Sequence, residues 1–93
     1  MVPYTVPLLP VARPAITRCE DLLARARRSP GGLRFSELCR LAECFGWELV
    51  RQRGSHVIYK RRGTMQLMSF QNDRGRAKPY QVRQLLAAID ELE

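Results

Sequence analysis

The chain holds one histidine, His56, and only three cysteines, Cys19, Cys39 and Cys44, among its 93 residues. A metal centre is therefore not expected: the cysteine spacings fit no zinc motif, and one imidazole with scattered carboxylates makes no coordination shell. All three cysteines fall in segments of helical pattern, so reduced, partly buried thiols are the expectation. Long hydrophobic runs are missing as well. No apolar stretch reaches the ~18 residues of a membrane span, and no charged segment leads into the apolar core of a secretory leader, which points to a cytoplasmic protein. The length is that of one small domain, enough for helices on a small sheet and too short for a deep cleft, so no cofactor is expected.

What the chain does have is positive charge, formally +7 and unevenly placed. From Arg51 to Lys78 there are eight basic side chains and one acidic one, an excess equal to the whole net charge. Such a local field attracts a polyanion. A basic face kept for solubility is the competing reading of the charge alone.

Residues 1–15, with four prolines and no hydrophobic period, read as a flexible N-terminal arm ahead of a domain spanning 16–93. Thr17-Arg18-Cys19-Glu20 fits a capping box at the start of a short helix, which Ser29-Pro30-Gly31-Gly32 ends. Ser36 is the expected N-cap of a second helix with an apolar stripe of Leu38, Cys39, Leu41, Ala42 and Phe45, closed by Gly46. The period then changes. Trp47 to Gln52, His56 to Arg61 and Thr64 to Phe70 read as three strands joined by turns at Gly54-Ser55 and Arg62-Gly63. After a polar loop centred on Gly75, Pro79 opens a last helix bearing Val82, Leu85, Leu86, Ile89 and Leu92.

The expected fold is α+β: a three-stranded antiparallel sheet covered on one face by two helices, with an extra N-terminal helix. The other face stays open. On the central strand His56, Ile58 and Lys60 share one side, and Val57, Tyr59 and Arg61 the other. Both sides mix apolar and basic residues, so the pattern leaves open which of them meets the helices.

Three segments carry a resemblance. They are Arg34-Phe35-Ser36-Glu37-Leu38, the run from Phe45 to Tyr59 containing Gly54-Ser55-His56, and the run from Lys78 to Leu86. Together they resemble the HicA family of toxins, the ribonuclease halves of HicA and HicB toxin-antitoxin pairs, over about four-fifths of the chain. The resemblance implies a fold like a double-stranded-RNA-binding domain, cleavage of messenger RNA as a cytoplasmic mRNA interferase, and a HicB-like antitoxin as partner. It also implies that His56, in the family's Gly-Ser-His motif, is the catalytic residue. Many family members have a second histidine, directly after the first or on the third strand. This chain has Val57 after His56, and its loop Gln71 to Pro79 looks like that of members lacking the later histidine.

Metal-independent RNA cleavage needs a base at the ribose 2′-hydroxyl, an acid at the leaving 5′ oxygen and cations at the phosphate. Histidine serves as base or acid near neutral pH, and His56 can fill one role in a single step. Arg53, Ser55, Lys60, Arg61, Arg62, Arg74, Arg76 and Lys78 are the expected RNA-binding residues, the arginines because a guanidinium stays charged and grips two phosphate oxygens. Tyr59 is a candidate acid and Asp73 a candidate partner for the imidazole. For His56 alone, a turn histidine bonded to backbone is the competing reading, and the matched motif outweighs it. Two alternatives of function accompany the endonuclease: a non-catalytic RNA-binding module, and a weakened toxin remnant that only binds its antitoxin. A DNA-binding helix-turn-helix is disfavoured, because Glu37 and Glu43 occupy the second helix with only Arg40.

Overall fold

The computed structural model describes residues 8–92, with side chains from residue 18 onward. In chain order the elements are α1 (Leu8–Arg28), a 3-10 turn (Pro30–Gly32), α2 (Phe35–Cys44), β1 (Trp47–Arg53), β2 (His56–Arg61), β3 (Leu67–Gln71) and α3 (Pro79–Asp90). The strands form one antiparallel sheet in the order β1-β2-β3. This is the expected α+β architecture, helix, three strands and helix after an extra N-terminal helix.

Two helix starts differ from the sequence reading. Helix α1 is already under way at Leu8, so the Thr17 to Glu20 pattern lies inside it rather than at its cap, and of the supposed arm only residues 1–7 fall outside the described residues. Helix α2 begins at Phe35 with Arg34 as N-cap, two residues ahead of the expected Ser36. The cap there comes from Glu37, whose Oε1 accepts the Arg34 backbone N–H at 2.9 Å while the same carboxylate takes two hydrogen bonds from the Arg25 guanidinium, at 2.8 and 3.2 Å.

The Arg25 hydrogen bond, followed by that of the Arg34 backbone, holds the Glu37 carboxyl below the usual carboxylate range. A depressed folded-state pKa means stability that is present above the unfolded value, about 4.3, and lost as the pH falls through the folded one. The thermal midpoint is therefore expected to drop on acidification below about pH 4. In Glu37→Gln that drop should shrink, with a loss of about 1 kcal/mol at neutral pH for the weakened cap. Thermal melts followed by circular dichroism from pH 7 to pH 3 measure both.

The cysteine expectation is corrected. Cys19 of α1 and Cys44 of α2 are joined as a disulfide, with Cα atoms 6.0 Å apart, and Cys39 remains a free thiol. Their 25-residue separation carried no signal of pairing; packing α1 against α2 brings them together. Burial pushes the Cys39 thiol up, away from thiolate character.

The core lies between one sheet face and the helices. Val57, Tyr59, Met68 and Phe70 from the sheet meet Leu38, Leu41 and Ala42 of α2 and Val82, Leu85 and Ile89 of α3, with Leu22 and Ala26 of α1 closing one side. Each helix thus buries the stripe its 3.6-residue period predicted. The alternation on β2 is settled as well: Val57 and Tyr59 face the helices, which turns His56, Ile58 and Lys60 to the open face.

Candidate functional site

His56 is the first residue of β2, and its position follows from the turn before it. Arg53 and His56 are cross-strand partners, so Gly54-Ser55 is a two-residue hairpin loop. Gly54 has φ of 58° and Ser55 does not share the positive sign, the arrangement of a type II′ turn, which calls for glycine at that first position. On the other flank His56 pairs with Gln71 of β3. The imidazole is exposed, and among the described residues it makes no side-chain hydrogen bond.

A shallow cleft of about 300 Å³ opens beside it, lined by Arg51, Arg53, His56, Ile58 and Ser69. Arg51 arrives there through an irregularity in β1. The register runs Arg53↔His56, Gln52↔Val57 and Arg51↔Ile58, then skips Val50 and resumes at Leu49↔Tyr59. One extra residue reverses the phase of a strand. Arg51 and Arg53 can therefore share the open face with His56, while Trp47, at the far end of the same strand, is buried among the core residues. The sequence points to Arg53 as a phosphate-binding arginine and to Ile58 as sharing a side with His56, but not to Arg51, because a bulge has no signature in composition or period, nor to Ser69 and Gln71 on β3.

The remaining expected residues divide among three places. Lys60 lies on the open face four residues along β2 from His56, roughly 13 Å at the rise of a strand. Together with Arg62, Glu48 and Val50 it lines a second depression. Ser55, Arg74, Arg76 and Lys78 lie around the His56 end of the sheet, where the Asn72 N–H donates to the Ser55 carbonyl at 2.7 Å and draws the Gln71 to Lys78 loop against the hairpin turn. Arg74 and Gly75, both at positive φ, form the tip of a two-residue loop between Asp73 and Arg76. The Arg76 guanidinium donates to the Gly31 carbonyl at 2.9 Å, and Lys78 Nζ is 3.8 Å from an Asp73 carboxylate oxygen. Asp73 is thus paired with Lys78, with no hydrogen bond to the imidazole.

Arg61 belongs to the opposite face. Its Nε donates to the Phe45 carbonyl at 2.7 Å, and its guanidinium carbon lies 5.6 Å from the Trp47 ring centre. Tyr59 is turned to the helices too, and its hydroxyl donates to Glu43 Oε2 at 2.9 Å. Burial first, then the neighbouring Cys39 and Glu43, push the phenol far above its ordinary range, so it supplies no acid near His56.

One buried polar residue secures this end of the sheet. Gln81 of α3, only 4% exposed, accepts the Gln71 backbone N–H at 2.8 Å through Oε1. Truncating it in Gln81→Ala leaves the N–H of the residue opposite His56 without a partner, and the expected cost is about 1–3 kcal/mol. Urea denaturation of the purified variant checks this.

Among the described residues no three histidine, cysteine or acidic side chains are grouped to hold a metal ion, and no helix is long and apolar enough to cross a membrane. The first depression is cationic, open and centred on one imidazole, a surface that attracts a polyanion and can move one proton. Comparison with known families gives a match to the HicA toxin of bacterial toxin-antitoxin systems over residues 35–90. No curated protein and no solved structure matches the chain. The family match runs from the first residue of α2 to the last of α3 and takes in His56 and the basic residues of the sheet and of the loop after it, from Arg51 to Lys78, leaving α1 outside it. More than half of the chain, including the whole sheet and its open face, carries the family pattern, and the protein belongs to the HicA family of toxins.

Proposed function

We infer that the protein is a metal-independent RNA endonuclease, an mRNA interferase, in which His56 performs one proton transfer. The observation that carries this reading is the cleft itself: an exposed imidazole paired across strands with Arg53 and beside Arg51, with no acidic side chain in the lining. A phosphodiester drawn there by the two guanidinium groups lies within reach of the ring. The ribose 2′ oxygen attacks phosphorus, the O2′–P bond forms, and the P–O5′ bond breaks. Neutral His56 takes the proton from the 2′-hydroxyl, the arginines stabilise the charge on the phosphoryl oxygens, and water protonates the departing 5′ oxygen.

Water is assigned that last role because the other titratable candidates are occupied or remote. Tyr59 is committed to Glu43, Lys78 is paired with Asp73, and Lys60 lies along the strand toward its other end. One general base contributes roughly 10²–10⁴-fold, so turnover should be slow. The lone imidazole also supports a second reading, a weakened toxin that binds RNA or its antitoxin without cutting.

A HicB-like antitoxin would silence this site most directly by setting acidic residues on the arginines and covering His56. Incubation of the purified protein with labelled RNA in excess chelator separates the two readings. The endonuclease should cut RNA and leave DNA of the same sequence whole, since DNA lacks the attacking hydroxyl. Intact RNA, retained by the protein and released by salt, is the outcome of the second reading.

A further inference from the structure

The open face of the sheet is not polar throughout. Val50 and Leu67, 56% and 54% exposed, flank the half-buried Ile58, so an aliphatic strip crosses all three strands next to the His56 cleft. Leucine, isoleucine and valine at the middle of a solvent-facing sheet are costly unless something covers them. Three shallow depressions adjoin one another along this face. The His56 cleft shares Arg51 and Ile58 with a depression of about 340 Å³ that also touches Val50 and Leu67. That one shares Val50 with the depression bounded by Lys60, Arg62 and Glu48. They make one trough with an apolar floor, His56 at one end, and Arg51, Arg53, Lys60 and Arg62 along it against the single acid Glu48.

We propose that this trough is a single-stranded RNA track, in which unpaired bases lie on the Val50, Ile58 and Leu67 strip while their phosphates follow the cations, delivering the scissile phosphate to His56 at its end. The proposal rests on the endonuclease reading and names the form of RNA it takes. An apolar floor flanked by cations matches a strand whose bases are free to turn their faces down. It does not match a duplex, which hides its base faces in the stack and offers phosphates, sugar hydroxyls and groove edges. The chemistry agrees, since attack by the 2′ oxygen in line with the leaving 5′ oxygen needs a linkage free to rotate out of helical geometry. The bulge at Val50 serves both needs at once, bringing an aliphatic side chain and Arg51 to the same face.

The test uses the full chain in two arms. In the first, one labelled RNA is offered alone and annealed to its complement. The single strand should be cut at least tenfold faster, and equal rates on the two forms would overturn the proposal. In the second, His56→Ala protein, which leaves substrate intact, is compared with the same protein also carrying Val50→Ser and Leu67→Ser. Both added positions are exposed, so folding is retained, and circular dichroism confirms it. Affinity for a short single-stranded RNA should fall about tenfold. Unchanged RNA affinity overturns the proposal, and if self-association or capture of a protein partner is lost at the same time, the strip belongs to protein contacts. A wild-type protein that cuts neither form would defeat the endonuclease reading alone, and the binding arm would still decide the track.

Discussion

Replacing His56 by alanine is expected to remove RNA cleavage almost entirely, by roughly 10²–10⁴-fold, while leaving stability within about 0.5 kcal/mol of the parent. The two halves of that expectation have separate causes. Loss of activity follows from the cleft, where no other side chain titrating near neutral pH stands beside Arg51 and Arg53. Retention of the fold follows from the imidazole's exposure and its lack of side-chain hydrogen bonds among the described residues. Single-turnover cleavage assays and thermal melts on the same preparation read both. In cells, expression of the parent without an antitoxin should stop growth, and the variant should restore it.

The second large effect is on stability. Phe70→Ala is expected to cost about 3–5 kcal/mol, a large share of the total for a domain of this size. Phe70 is fully buried, is the cross-strand partner of Val57, and packs its ring 5.5 Å from that of Tyr59. Its strand thus holds in place the strand on which His56 and Ile58 stand. Truncation leaves a cavity under the sheet, because helices anchored elsewhere collapse only partly into it. Urea unfolding at pH 7 measures the loss. Because the site rides on this sheet, activity per molecule should decline near the lowered midpoint rather than at low temperature.

The fold was legible because the elements that build the core, α2, α3, β2 and β3, each obey a single period. The stripes on α2 and α3 reported helices with one buried side, Pro79 sits at the first turn as its fixed φ demands, and Gly54 marked the hairpin. His56 stood out through the motif around it. Arg53, Ile58 and Lys60 were legible beside it, and the rest of the site was not, for definite reasons. The phase change at Val50 is invisible in a sequence whose strand residues are basic and apolar on both sides, so Arg51 went unassigned. Arg61 and Arg62 look alike as neighbours in a basic run, yet one is fixed to the Phe45 carbonyl beneath the sheet and the other borders the open trough. Tyr59 reads as a candidate acid in the sequence, yet it is buried under the sheet with its hydroxyl committed to Glu43. The Cys19–Cys44 pairing depends on how two helices cross, which no local pattern encodes.

The most direct test of the central claim is the chemistry of the ends that the protein leaves on RNA. If His56 promotes attack by the ribose hydroxyl, mass spectrometry of the products should find 2′,3′-cyclic phosphate or the 3′-phosphate derived from it, opposite 5′-hydroxyl ends, in chelator and only with His56 present. Products ending in 5′-phosphate, or the same cleavage from His56→Ala protein, would contradict the account.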